Sequence, residues 1–110
     1  MKKYNKQKVC IQGLGFVGSA MAIAVSNALD HQEKNYFEVV GIDLKSPIGI
    51  NRINALNSGI FPFVNTDPKL NRFLKKAINN KSFRASSDNS QFKNAEIVVV
   101  DIHLDIPFKN

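Results

Sequence analysis

Three glycines and one aspartate have the types and spacing to bind a nucleotide. Gly13, Gly15 and Gly18 form a Gly-x-Gly-x-x-Gly turn directly after a short apolar segment. The first glycine permits a tight turn, the second lets a pyrophosphate approach the backbone, and the third lets a helix pack closely on a strand. The turn therefore predicts a dinucleotide site. The residues between the glycines belong to the same predicted site: Leu14, Phe16 and Val17.

Asp43 is the second element of this predicted site. It stands 25 residues after Gly18, at the end of a second β-compatible segment. A carboxylate there accepts hydrogen bonds from the adenosine ribose and repels the 2′-phosphate of NADP, so we predict NAD as the cofactor. The spacing exceeds the usual value of about 20, and a polar loop at residues 31–35 accounts for the excess. Lys45 is a further candidate for contact with the ribose or a phosphate.

Alternating strands and helices must position these residues. Apolar and β-branched runs predict strands over residues 9–12, 37–42, 83–86 and 97–100, the last of them buried. Helices are predicted over 16–30, over 50–58 and after a cap at Thr66 or Asp67, with a short one from Ser87-Asp88 through Phe92. This order predicts an α/β fold, a Rossmann-type parallel sheet with helices on both faces, truncated at about four strands.

The end of the fourth strand provides one more candidate. In the common order 3-2-1-4, strand four lies beside strand one, so residues just past it can reach the centre of a bound cofactor. His103 is the candidate there. Because neither histidine has a second ligand placed near it, we predict no metal site. Cys10 lies in an apolar run and is predicted to be a buried small hydrophobe.

Charge and hydropathy exclude several classes of partner. The 110 residues suit one domain, and the net charge is +6. Four lysines lie in the first eight residues, and the remaining positive charge is scattered rather than gathered in one patch. We therefore expect no nucleic-acid partner. No apolar run can span a membrane. The basic start is followed by a segment that glycines interrupt, unlike a signal peptide, so we expect a cytoplasmic protein.

An ordered series of motifs resembles the N-terminal domain of the UDP-glucose/GDP-mannose dehydrogenase family. The family's Gly-Leu-Gly-Tyr-Val-Gly turn is similar to residues 13–18, and its Gly-x-Asp strand end to residues 41–43. Its Leu-Asn-x-Gly helix end is similar to residues 56–59, and its Arg-Ala-Thr-Thr-Asp turn to residues 84–88. In that turn Ser86 and Ser87 keep hydroxyls where the family has threonines, which implies a cofactor contact from one of them, with Ser87 as the candidate. The family's Val-Pro-Thr-Pro segment is replaced here by residues 102–105.

The resemblance implies the chemistry of a longer enzyme. The family oxidises the C6 hydroxyl of a nucleotide sugar to a carboxylate with two NAD, using a cysteine in a later domain, in a route to polysaccharides. Residues 1–110 are then expected to be a partial NAD-binding domain without the substrate and catalytic domains. No catalytic residue is assigned within it, and we expect it to be inactive alone. The nucleotide-sugar substrate would bind through the missing domains of a homo-oligomer.

Two alternatives stay open at this point. The chain could be the NAD-binding domain of another Rossmann dehydrogenase, of the hydroxyacid or 6-phosphogluconate type. It could also be a non-catalytic nucleotide-binding module, which would bind NAD without further domains.

Overall fold

A four-stranded parallel sheet organises the chain. A computed structural model describes residues 6–64 and 67–101. The strands are β1 (Gln7–Gln12), β2 (Phe37–Ile42), β3 (Phe83–Ser86) and β4 (Ile97–Val100), in the order β3-β2-β1-β4. The helices are α1 (Phe16–Ser26), α2 (Pro47–Asn57), α3 (Lys69–Asn79) and a 3₁₀ helix (Asn89–Asn94). The predicted fold class and strand order are confirmed.

The main core lies on the face of the sheet that the three α-helices cover. Alternate strand residues such as Ile11, Val39 and Phe83 point to this face, as a period of two requires. The helices add apolar side chains at helical spacing, including Ile53 and Leu56 on α2. The described α-helices have 11 residues each, well short of the roughly 20 apolar residues that cross a bilayer.

The opposite face carries a smaller cluster under the 3₁₀ helix. Cys10, Val40 and Ile42 are buried there, with Phe92 of the 3₁₀ helix packed against them. The Cys10 Sγ donates to the carbonyl oxygen of Gln91 at 3.3 Å, and burial raises the pKa of its thiol. Cys10 is thus a buried small residue, as predicted.

The first helix ends four residues earlier than the sequence predicts. Asn27 follows its last turn, and its side-chain amide donates to the carbonyls of Ile23 and Phe73. Competition of this kind is why asparagine favours helix ends. The chain then forms a compact loop closed by a bridge between Leu29 and Asn35. In this loop the Lys34 N–H donates to Asp30 and lowers the pKa of that carboxyl.

The other two α-helices differ from prediction at their starts. Helix α2 begins three residues early, because Ser46 accepts the Gly49 N–H and Pro47 occupies the first helical position. Helix α3 begins at Lys69, whose N–H donates to Asp67 Oδ1 at 2.9 Å. The alternative cap at Thr66 lies outside the described residues. The predicted cap at Asp88 is confirmed, since it accepts the Ser90 N–H at 2.9 Å.

The prediction of a buried fourth strand is wrong. Ile97, Val98 and Val100 are 41%, 48% and 55% exposed. Strand β4 is an edge of the sheet formed by the described residues, paired through β1 alone. A β-branched run specifies a strand, but its burial depends on which elements pack beside it.

Candidate functional site

The glycine turn connects β1 to α1 at the carboxyl end of the sheet. The Gly13 N–H donates to the Ile42 carbonyl at 2.8 Å, which ties the turn to β2. Gly13 has a φ of 100°, and a Cβ there would collide with the backbone oxygen of Asp101. A Cβ on Gly18 would collide with the Gly13 oxygen. Both glycines are therefore required by close backbone approach.

Gly15 differs from these two because its surroundings are open. No atom lies within 4 Å of the position its Cβ would take. Gly15 is also the N-cap of α1, and the first backbone bond of that helix runs from the Ser19 N–H to the Gly15 oxygen. The amides before Ser19 therefore have no partner four residues back in the helix. Open space beside amides that have no acceptor within the helix, at its positive end, is the environment that a phosphate requires.

The carboxylate of Asp43 is hydrogen-bonded to the backbone of the glycine turn. Its Oδ2 accepts the Leu14 N–H at 3.0 Å, and its Oδ1 accepts the Leu44 N–H at 2.7 Å. The Leu14 side chain is fully buried and fills the space above Gly41. Leu14 therefore contributes to the site through its backbone, by holding the carboxylate beside the turn.

A cavity of about 710 Å³ opens over these groups. It lies at the carboxyl ends of β1, β2 and β4, where open α/β sheets bind ligands. Its volume falls in the range typical of cofactor sites. The cavity is lined by Gln12, Gly13, Leu14, Gly15, Phe16, Val17, Ile42, Asp43, Leu44, Arg52, Phe63, Asn89 and Asp101.

The structure brings most of the predicted site residues together. Gly18 is buried beneath the turn and supports it without lining the cavity. Lys45 is exposed and follows the lining residue Leu44, and Ser87 is half-buried after β3. Neither of these two is among the cavity-lining residues, and their contacts with cofactor stay predictions. His103 lies outside the described residues.

Arg52 and Phe63 are site residues that the sequence interpretation did not identify. The Arg52 Nη1 lies 3.6 Å from Asp43 Oδ2, and its Cζ lies 5.2 Å from the centre of the Phe63 ring. Phe16 packs edge-on against Phe61 and Phe63, so an aromatic wall borders the cavity. No local pattern marks Arg52, which precedes the core residue Ile53 on α2 and lies nine residues after Asp43.

Comparison with known proteins agrees with this geometry. The family described as "UDP-glucose/GDP-mannose dehydrogenase family, NAD binding domain" matches residues 7–109. A relative named UDP-N-acetyl-D-mannosamine dehydrogenase, from Methanococcus vannielii, is 31% identical over 90 residues. That match covers 79% of this chain and 18% of the relative.

Two solved structures share the fold. NDP-N-acetyl-D-galactosaminuronic acid dehydrogenase from Methanosarcina mazei is 25% identical, with a TM-score of 0.79 over 96% of this chain and 21% of that one. GDP-mannose dehydrogenase from Pseudomonas aeruginosa is 23% identical, with a TM-score of 0.68 over 86% and 19%. The chain thus spans about a fifth of the length of these relatives. It belongs to the UDP-glucose/GDP-mannose dehydrogenase family and corresponds to its NAD-binding domain.

Proposed function

We propose that this chain holds NAD for an enzyme that oxidises the C6 hydroxyl of a UDP-sugar to a carboxylate, with two NAD reduced. The observation that carries the proposal is the open space at Gly15, beside the first amides of α1 and next to Asp43, whose carboxylate accepts the Leu14 N–H of the turn. Bound NAD supplies the hydride acceptor. Membership of the family supports the substrate class.

Different residues of the chain bind different parts of NAD. The α1 amides and the backbone at Gly13 and Gly15 receive the pyrophosphate, because the helix end offers donors and a favourable dipole. Asp43 accepts hydrogen bonds from the adenosine ribose. Leu44 and Phe63, both lining the cavity, give the adenine an apolar surface and exclude water from it.

The reacting groups for the sugar are assigned to later parts of a longer polypeptide. The relatives are about five times as long as the matched segment, and the described residues contain only Cys10 as a thiol, fully buried in the sheet. We therefore propose that the 110-residue chain binds NAD weakly and does not oxidise UDP-sugars by itself.

A Gly15→Val substitution tests the site. The valine side chain would fill the open space that the phosphates need, so NAD binding should fall by at least about a hundredfold, the loss of several charge-assisted hydrogen bonds. Binding is measured by NMR titration of the ¹⁵N-labelled chain with NAD, following the amide signals of the turn. The matched control is Asn51→Val, which adds the same side chain at an exposed position of α2 that is not among the cavity-lining residues. Equal NAD affinity in Gly15→Val and wild type would contradict the proposal.

The substrate class is tested on the longer protein. NADH formation with UDP-sugars and not with hydroxyacids or 6-phosphogluconate is expected. Turnover of a hydroxyacid instead would place the domain in another kind of dehydrogenase.

A further inference from the structure

The cavity carries an unbalanced charge at its β4 side. Its charged lining residues are Asp43, Arg52 and Asp101. The ion pairs among the described residues join Arg52 to Asp43 and Arg84 to Glu38, so the Asp101 carboxylate has no cationic partner in that part of the chain. It also accepts no hydrogen bond from the described residues. The Asp43 side of the cavity is therefore close to neutral, whereas the β4 side is negative.

The end of β4 and the start of α1 position Asp101. Its backbone N–H donates to the Gln12 carbonyl at 2.8 Å, which continues the pairing of β4 with β1 by one residue. Because side chains alternate along a strand, Asp101 points to the same face as Val99, which packs against the main core. Its Oδ2 lies 3.1 Å from the position that a Cβ on Gly18 would take, in the first turn of α1. The positive end of a helix stabilises a carboxylate placed there.

The elements around this carboxylate do not offset its charge. Helix α1, strand β4 and the glycine turn contain no charged residue. The 3₁₀ helix lines the cavity through Asn89, which is neutral. The electrostatic field on the β4 side therefore comes mainly from Asp101 and from the end of α1.

The proposed orientation of NAD brings its nicotinamide half to this side. Asp43 and Asp101 follow strands that lie on opposite sides of β1. With the adenosine ribose at Asp43 and the pyrophosphate at the glycine turn, the nicotinamide half extends over the end of β4. The nicotinamide ring of NAD is positively charged, whereas the ring of NADH has accepted a hydride and is neutral. A fixed negative charge interacts with the first ring and hardly with the second.

We infer that Asp101 makes this site prefer NAD over NADH, by attracting the positively charged nicotinamide ring. The inference rests on the proposed function and assigns to Asp101 the selection of the redox state of the cofactor. A ring that has accepted a hydride loses this attraction, so NADH dissociates more readily than NAD. The proposed reaction reduces two NAD, which requires NADH to be exchanged for NAD between the two oxidations. Asp101 favours that exchange.

The test compares three ligands: NAD, NADH and ADP-ribose, which lacks the nicotinamide ring. Each Kd is measured by NMR titration of the ¹⁵N-labelled chain at fixed ionic strength, following the amide signals of the glycine turn. Asp101→Asn removes the charge with little change of shape. The NADH/NAD ratio of Kd values should fall by about fivefold, the order of a charge–charge attraction at a partly exposed site. The Kd of ADP-ribose should change in step with that of NADH, because neither carries the ring charge.

Two further variants and one change of condition sharpen the test. Asp101→Ala removes the whole carboxylate and should lower the ratio by a similar factor. Glu96→Gln is the matched control, because it removes an equal charge from an exposed residue just before β4 that does not line the cavity. Its NADH/NAD ratio should equal that of the wild type. In the wild type itself, higher salt should lower the ratio, since the preference is electrostatic.

The outcomes separate this inference from the proposed function. If NAD leaves the turn amides of the wild type unshifted, the dinucleotide site itself is refuted, and the role of Asp101 with it. If NAD binds but the Asp101 variants change the Kd of all three ligands equally, or not at all, the carboxylate does not act on the ring and the inference is overturned. A fall of the ratio in Glu96→Gln as large as in Asp101→Asn overturns it as well, because net charge would then explain the effect.

Discussion

The two edges of the sheet are built differently, although each is a strand of four residues. On β3, Phe83 and Ala85 are buried, and the Asn57 side chain exchanges two hydrogen bonds with the backbone of Ala85, at 2.9 and 2.8 Å. On β4, the valine-rich run is largely exposed. The difference shows that neighbouring elements, and not the apolar character of a strand, determine how firmly its edge is closed.

The same contrast continues at the cavity. Its Asp43 side is held by hydrogen bonds among β2, β3 and the turn, including the one that the Asp43 N–H donates to the Ser86 oxygen at 3.2 Å. Its β4 side meets the turn by close backbone approach, where Asp101 lies against Gly13 and Gly18. The Asp43 side of the cavity therefore depends on hydrogen bonds between its elements. The β4 side depends on glycines, whose lack of a Cβ allows the backbones to approach.

The largest effect is expected where β4 meets the turn. In Gly18→Ala the new methyl group collides with the Gly13 oxygen, a backbone atom, and lies 3.1 Å from Asp101 Oδ2. We expect a loss of about 3 kcal/mol in the free energy of unfolding, measured by urea denaturation. Gly15→Ala is the control, with open space around the added methyl and an expected change below about 0.5 kcal/mol. Equal losses in the two variants would refute the packing argument.

Asn57→Ala should weaken the β3 edge of the sheet. This substitution leaves the N–H and carbonyl of Ala85 without their side-chain partners and should cost about 1.5 kcal/mol. This loss in the free energy of unfolding is measured by thermal and urea denaturation. Asn51→Ala removes an exposed asparagine from the same helix and should cost far less. If both variants are equally stable, the amide of Asn57 contributes nothing to the β3 edge.

The smallest change in the free energy of unfolding is expected on the exposed β4 edge. Val98→Thr places a hydroxyl on a half-exposed residue and should change stability by less than about 0.5 kcal/mol. Val40→Thr on the same face puts the hydroxyl into the fully buried cluster and should cost about 2 kcal/mol. The comparison is made from the urea midpoints of the two variants. A large loss at Val98 would mean that β4 is covered.

The sequence predicts the scaffold of this site better than its details. Glycine spacing and the strand run before Asp43 predict the turn and the carboxylate that we propose for the ribose, because both depend on local backbone geometry. Arg52 escaped this approach because its role depends on a contact between α2 and the end of β2, which no local pattern encodes. The exposure of β4 also depends on tertiary neighbours and could not be read from the run of valines.

The predicted end of α1 and the predicted start of α2 were wrong for a different reason. Residues after Ser26 have the composition of a helix, yet the side-chain amide of Asn27 donates to the Ile23 carbonyl at the end of α1. Pro47 lies outside the range 50–58 that was predicted for α2, although proline suits the first position of a helix, which Ser46 caps here. In both cases one polar side chain decides between two conformations of similar energy.

The bridged loop between α1 and β2 makes the length of this region adjustable. It enters β2 at Phe37, at the amino end of the sheet, whereas Asp43 lies beyond the carboxyl end of the strand. Residues can therefore be added near Gln32 and Glu33, both exposed, without altering the distance between turn and carboxylate. The loop is the natural place to attach a fluorophore or affinity tag that reports on binding while leaving the cavity untouched.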